Sequence, residues 1–359
     1  MSINPSSTTV LVTGANGFIG LHTVAHLLEL GYRVRGTVRD ETREKNVRWA
    51  MFKQVDTSRL EFAYTDLLKD EGWREAIQGC NYVIHVASPF PAVDPKDPAE
   101  LIAPARDGTL RVLRAAQSGG VKRVVLVSSV VAITSGHERE NRTFDESDWT
   151  DLEKTNYAYS ISKTLAERAA WDFINSAENQ SGMELVAVNP SNVFGPPLDG
   201  SNFTSVEWFR TLLHAEVPGI PNVQLNFVDV RDLVALFVLA MTVPEAAGKR
   251  FIANAASIPL AEFAEILKRN FNGRGFRVPT RVLPDALVRL TARFMPKLRA
   301  VANQLDWEHT LSTEQARSVL GWEPHPYKET IVEMAEGLIA NGQCVIPGEE
   351  GQHAAVHNA

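Results

Sequence analysis

Cysteine is almost missing from this chain: Cys80 and Cys344 are the only two among 359 residues. Two cysteines cannot form a disulfide framework or a four-ligand zinc site, so no metal is expected and both read as reduced thiols of a cytoplasmic protein. Long apolar runs are missing too. A membrane span needs ~20 apolar residues; Val230–Val243 is shorter and carries Arg231 and Asp232 at its start, which predicts a buried helix. Basic charge is in deficit, with 36 Lys and Arg against 43 Asp and Glu and a net charge of −7. No positive field is therefore available to hold nucleic acid or an anionic membrane surface. Met1–Thr9 has no Lys or Arg, unlike a secretory signal. Internal repeats and low-complexity stretches are likewise absent. These absences leave the expectation of a soluble monomer or homodimer whose partner is a small molecule.

What is present is a strong alternation. The chain is 44% hydrophobic, enough to bury one large core and a smaller lobe. Short apolar runs at Val10–Thr13, Tyr32–Val38, Leu60–Tyr64, Tyr82–Val86, Val124–Ser128 and Glu184–Asn189 predict strands. Amphipathic stretches between them, such as Gly17–Leu30, Pro98–Gln117 and Tyr157–Ser176, predict helices. Strand and helix in turn imply βαβ units, hence a Rossmann-like α/β fold with a doubly wound parallel sheet. After Pro190 the rhythm changes to proline- and glycine-marked loops and helical patterns. The expected division is a dinucleotide-binding domain over 1–190, with 225–250 returning to it, a mostly helical substrate lobe over 191–345, and a flexible tail over 346–359.

The first strand runs into Gly14-Ala15-Asn16-Gly17-Phe18-Ile19-Gly20. The first glycine permits a sharp turn, the second lets backbone N–H groups approach a pyrophosphate, and the third lets the helix pack against the strand. The helix then points its positive end at the phosphates. A ligand-free glycine turn is the plainer alternative, but an apolar strand before it and an amphipathic helix after it favour a dinucleotide. At the end of the second strand stand Val38, Arg39 and Asp40. Valine cannot accept from a ribose hydroxyl, whereas Arg39, with Lys45 or else Arg43, can hold a 2′-phosphate. NADPH is therefore expected over NAD, with Asp40 turned to a ribose as the alternative. Asp66 and Leu67 after the third strand, and Val86, Ala87 and Ser88 after the fourth, lie at the carboxyl edge where such cofactors run.

Tyr159 and Lys163 sit four apart on a predicted helix, on one face. A nearby ammonium favours the phenolate and tunes the tyrosine for proton exchange with a carbonyl oxygen. Ser128 and Ser129, at the end of the strand before that helix, offer a hydroxyl for the same oxygen. Taken alone, Tyr-x-x-x-Lys is more often a solvated helix face. Glycine turn, strand-end serine and Tyr-x-x-x-Lys in this order point to hydride transfer.

These motifs, with Thr37-Val38-Arg39-Asp40, His85-Val86-Ala87-Ser88-Pro89, Asn189-Pro190-Ser191-Asn192-Val193-Phe194-Gly195-Pro196 and Phe227-Val228-Asp229-Val230-Arg231-Asp232-Leu233, resemble the extended short-chain dehydrogenases/reductases. Within them the chain is most similar to the branch of dihydroflavonol reductases, cinnamoyl-CoA reductases and microbial aldehyde/ketone reductases, from about Thr9 to about Ala340. The resemblance implies a catalytic triad of Ser129, Tyr159 and Lys163, with Ser128 the alternative serine. It also implies that Lys163 holds the nicotinamide ribose, that Pro190 and Val193 flank the nicotinamide, and that Arg39 selects NADPH.

Two departures stand out. The helix after the fourth strand reads Ala105-Arg106-Asp107-Gly108-Thr109, without the asparagine many extended members carry there. The asparagine-rich tyrosine motif of plant cinnamoyl-CoA reductases is replaced by Asn156-Tyr157-Ala158-Tyr159, which counts against CoA-thioester chemistry. Pro89, Phe90, Val130, Phe194, Phe203 and Trp208 are the expected substrate lining, apolar and suited to an aryl or alkyl carbonyl. Each could equally be core. His85, inside a strand, reads as a buried structural histidine. The leading expectation is NADPH-dependent reduction of an aldehyde or ketone. A nucleotide-sugar epimerase or dehydratase with bound NAD, and a non-catalytic NADP sensor, are the alternatives.

Overall fold

The computed structural model describes residues 3–52, 54–88, 97–201, 203–295, 298–302, 304–305 and 307–347. The strands among them are β1 (Thr9–Thr13), β2 (Arg33–Val38), β3 (Leu60–Tyr64), β4 (Tyr82–His85), β5 (Arg123–Val127), β6 (Arg142–Phe144), β7 (Glu184–Pro190), β8 (Asn192–Phe194), β9 (Gln224–Asp229), β10 (Arg250–Ala253), β11 (Ala256–Pro259) and β12 (His309–Leu311). Seven form one sheet in the order β10-β7-β5-β4-β1-β2-β3. Every neighbouring pair in it is parallel.

Both faces of this sheet are covered, which is why the middles of its central strands, Val10–Val12, Val83–Ile84, Val124–Val127 and Leu185–Val188, are apolar. Successive side chains point to opposite faces. Val10 and Val12 of β1 pack on one side with Leu21, Val24 and Leu28 of the helix Phe18–Glu29 and with Leu233 and Phe237 of the helix Val230–Thr242. Leu11, between them, packs on the other side with Val112, Leu113 and Phe173. Those three come from the helices Ala99–Ser118 and Ala158–Asn175. Each fully buried aliphatic or aromatic side chain of this kind stabilises the fold by about 1.5–3 kcal/mol.

Beyond β7 small sheets accompany the helices of the expected, mostly helical lobe. β8, β9 and β11 form a three-stranded sheet, and β6 pairs with β12. The segment predicted to return to the large sheet splits: β9 joins the small sheet, whereas the helix after it covers the large one and β10 extends its edge. A second core of Phe194, Phe209, Phe227, Phe263 and Phe271 fills this half. No helix among the described residues is long and apolar enough to cross a membrane. The predicted tail beyond Pro347 lies outside the described residues.

Candidate active site

The glycine turn leaves β1 through Gly14, whose φ of +67° is a left-handed conformation that a side chain strains. A Cβ at Gly20 would stand 2.1 Å from the Gly14 carbonyl oxygen, so close packing of helix on turn demands glycine there. A Cβ at Gly17 would meet, among the described residues outside its own chain neighbours, just that same oxygen, at 3.5 Å. The missing side chain therefore leaves an open cradle in front of the helix start, which fits a pyrophosphate. Beside the turn, a cleft of about 160 Å³ is lined by Asn16, Leu21, Asn46, Asp199, Ser201 and Phe203. Phe18 packs against Phe203, with ring centroids 5.4 Å apart. Ile19 is half-buried against the large core.

A buried strap fixes the neighbouring strand end. The Ala87 N–H donates to Thr13 Oγ1 (3.0 Å), and Thr13 Oγ1 lies 2.8 Å from His85 Nδ1. Burial pushes the His85 pKa down to about 3, so the ring is neutral. Val86, Ala87 and Ser88 are half-buried along the carboxyl edge. Ala87 sits so near Gly14 that a Cβ on the glycine would lie 3.1 Å from the Ala87 Cα.

At the end of β2, Val38 is buried and Arg39 is exposed. Asp40 is already occupied. It accepts from the Arg43 N–H at 3.0 Å and forms an ion pair with the Arg43 side chain, which pulls its carboxyl below the usual range. Arg43 is thereby taken as well. Lys45 pairs with Glu41 at 3.1 Å, both side chains largely exposed. Asp66 Oδ1 accepts from the Leu68 N–H at 2.9 Å, and Leu67 packs where a Cβ on Gly108 would lie 3.0 Å away.

The ends of β5 and β7 separate the two serines. Ser128 Oγ donates to Glu167 Oε2 at 2.5 Å, turned away from the tyrosine. Ser129 instead shares a hydrogen bond with the Tyr159 hydroxyl. Lys163 is buried and donates to the Val127 carbonyl at 3.2 Å, with its nitrogen 6.0 Å from the Tyr159 ring centre. Burial pushes Lys163 down to about 8, offset in part by the Glu167 charge. The expected lowering of the tyrosine is not what the protein's own groups produce. Burial raises Tyr159 well above its ordinary value, and the Ser129 hydrogen bond only moderates this. The phenol is consequently a loaded proton donor at neutral pH. Pro190 is buried at the end of β7, its carbonyl accepting from the Val130 N–H at 3.0 Å, and Val193 lies next to it on β8.

The residues expected to line the substrate are spread over different parts of the structure. Phe194 is 4% exposed and stacks on Trp208 (5.7 Å, 7° between planes) within the second aromatic core. Phe203 borders the glycine-turn cleft, on the cofactor side. Val130 is half-buried against Phe144 and Trp307, next to Ser129. Pro89 and Phe90 lie outside the described residues.

Sequence reading missed the buried charges behind the tyrosine helix. Glu167 accepts from Arg250 Nε at 2.6 Å and from Asn189 Nδ2 at 2.8 Å, besides Ser128. Its place one turn beyond Lys163 was the available signal, but a glutamate on an amphipathic helix ordinarily faces water.

The model of the NAD dependent epimerase/dehydratase family matches residues 10–256. The chain is 32% identical over 351 residues to cinnamoyl-CoA reductase 2 of Arabidopsis thaliana, covering 97% of each. It is 30% identical over 365 residues to a bifunctional dihydroflavonol 4-reductase/flavanone 4-reductase of Pyrus communis, covering 98% of this chain and 96% of that one. The yeast methylglyoxal/isovaleraldehyde reductase Gre2, solved in complex with NADPH, superposes with a TM-score of 0.79 at 28% identity, over 94% of this chain and 99% of that one.

Proposed function

This chain belongs to the NAD dependent epimerase/dehydratase family, and we propose that within it the protein reduces the carbonyl of an aryl or alkyl aldehyde or ketone to an alcohol. It is an NADP-dependent oxidoreductase, in keeping with relatives named as reductases and with the NADPH complex of Gre2. The observation that carries the reading is the division of labour at the end of β5, where Ser129 meets Tyr159 and Ser128 is committed to Glu167.

The glycine turn and helix start would hold the pyrophosphate, Arg39 the 2′-phosphate, and Pro190 with Val193 the nicotinamide. When bound, NADPH supplies the hydride. Ser129 and Tyr159 together grip the substrate oxygen. As negative charge grows on that oxygen, the Tyr159 hydroxyl hands over its proton, and the Lys163 ammonium, in a site of low dielectric, stabilises the phenolate left behind. The substrate carbon would approach past Val130, over an apolar surface better suited to an aryl or alkyl group than to a sugar nucleotide. An NAD-retaining epimerase would want a carboxylate free at the end of β2, and there Asp40 is bound to Arg43.

The test is oxidation of NADPH and of NADH by purified protein with a panel of aromatic and aliphatic aldehydes and ketones. Substrate-dependent oxidation that strongly prefers NADPH is the expected result. Absence of turnover with every carbonyl, in both directions, would remove the proposal.

A further inference from the structure

We infer that Glu167 is a positioning residue for this reaction: a buried carboxylate that clamps the strand end bearing Ser129, the strand end bearing Pro190 and the helix bearing Tyr159 and Lys163 into one geometry. The inference rests on the reading of the site given above.

Glu167 is 1% exposed, and both of its oxygens are used. Oε2 accepts from Ser128 Oγ at 2.5 Å and from Asn189 Nδ2 at 2.8 Å. Oε1 accepts from Arg250 Nε at 2.6 Å and from Trp171 Nε1 at 3.3 Å. Each partner leads somewhere specific. Ser128 is the neighbour of Ser129. Asn189 precedes Pro190, and its Nδ2 also donates to the Ser129 carbonyl at 3.2 Å. Arg250, on β10, is itself anchored by the Glu146 and Asp148 carbonyls at 2.8 and 2.6 Å and lies 3.8 Å from the Trp149 ring centre.

A bare ion pair is a costly way to hold a fold, because desolvation of two charges offsets most of their attraction. An apolar pair would fill the same space. What an apolar pair cannot do is fix Ser128 and Asn189 by directed bonds while also setting the field at Lys163. A small cavity is lined by Lys163, Glu167, Ser128, His85 and Thr109, so carboxylate and ammonium face the same space. Among the described residues the other elements around Lys163 add no further charge: β4 brings neutral His85, the helix Ala99–Ser118 brings Thr109, and β5 brings the Val127 carbonyl. Tyr159, on its own helix, stays protonated. Among the described residues Glu167 is thus the anion that offsets the burial of Lys163 and favours its charged form.

The test pairs Glu167→Gln with Arg250→Met, so that the Arg250 guanidinium is not stranded in the core by loss of its carboxylate. NADPH affinity, kcat, KM and the pH profile of kcat are measured beside the wild type. NADPH affinity and substrate KM are expected to stay close to wild type while kcat falls about tenfold to hundredfold, the scale of a sub-ångström to ångström misplacement. The basic limb of the profile is expected to move about one unit toward neutral pH, as befits loss of an adjacent opposite charge. Wild-type kcat and an unmoved limb would overturn the inference. So would a parallel fall of kcat, NADPH affinity and melting temperature with the limb in place, which is the mark of a merely structural ion pair. Should the double variant not fold, Ser128→Ala removes one bond of the clamp, and an unchanged kcat there would refute it. Tyr159→Phe run alongside tells the two readings apart. Activity surviving that change indicts the assignment of the site, whereas a dead Tyr159→Phe with a fully active double variant indicts the clamp alone.

Discussion

The two ends of one sheet edge are built on opposite principles. Around β1 and β2 the protein works by omission: glycines at 14, 17 and 20, backbone N–H groups, and an arginine left exposed at position 39. Around β5 and β7 it works by commitment: Ser128, Asn189, Glu167 and Arg250 are all buried and mutually bonded. The difference follows from the two tasks proposed for these ends. Phosphates are recognised by backbone and by helix ends, which need space and tolerate adjustment. Proton transfer needs a hydroxyl, a phenol and an ammonium held within fractions of an ångström, which only a dense network provides.

The comparison breaks most sharply at Tyr159. Its change to Phe is expected to cut kcat by ~1,000-fold, within the range of a lost general acid, while NADPH titrates as in the wild type; a matching loss of NADPH affinity would show that the two ends are not separate. The next effect is pH-dependent. The folded-state value of Lys163 is about 8, below the 10.5 of a free lysine. Activity is expected to fall as pH rises through about 8, because the ammonium is lost. Stability must move the other way. The unfolded chain holds its proton up to the higher value, so the lysine's burial penalty of about 3 kcal/mol is relieved between the two values. Thermal melts of the wild type against Lys163→Met, compared at pH 7 and pH 10, measure this, and equal differences at the two pH values would contradict it.

At the phosphate end, Arg39→Ala is expected to raise the KM for NADPH about tenfold to hundredfold, the worth of one or two charge-assisted bonds, and to leave the KM for NADH unchanged. Steady-state kinetics with both cofactors decide it, and an equal rise for NADH would assign Arg39 elsewhere. Gly20→Ala brings a methyl group into the Gly14 carbonyl. Calorimetry should register a loss of about 1–3 kcal/mol, with NADPH affinity falling more than kcat.

Much of this was legible in the chain. The alternation of apolar runs and amphipathic stretches located the strands of the large sheet from β1 to β7 within a residue or two, because strands buried on both faces and helices buried on one carry local periodicities. The glycine turn was readable for the same reason: three residues decide its backbone. β6 and β12 were not, since three-residue strands that pair across Thr143 and Thr310 leave no local pattern. Nor was the stacking of Trp208 on Phe194, because aromatic side chains carry no sign of whether a neighbour will cover them.

By itself, then, the sequence determined the order of elements, the place of the glycine turn and the set of groups available for chemistry, all of which depend on neighbours within about one turn of helix or one strand. Which of two adjacent serines meets the tyrosine, and that Glu167 meets Arg250 from 83 residues away, were settled only when the strands packed. Direction at a strand end and the pairing of buried charges are properties of the assembled sheet edge, and local pattern does not encode them.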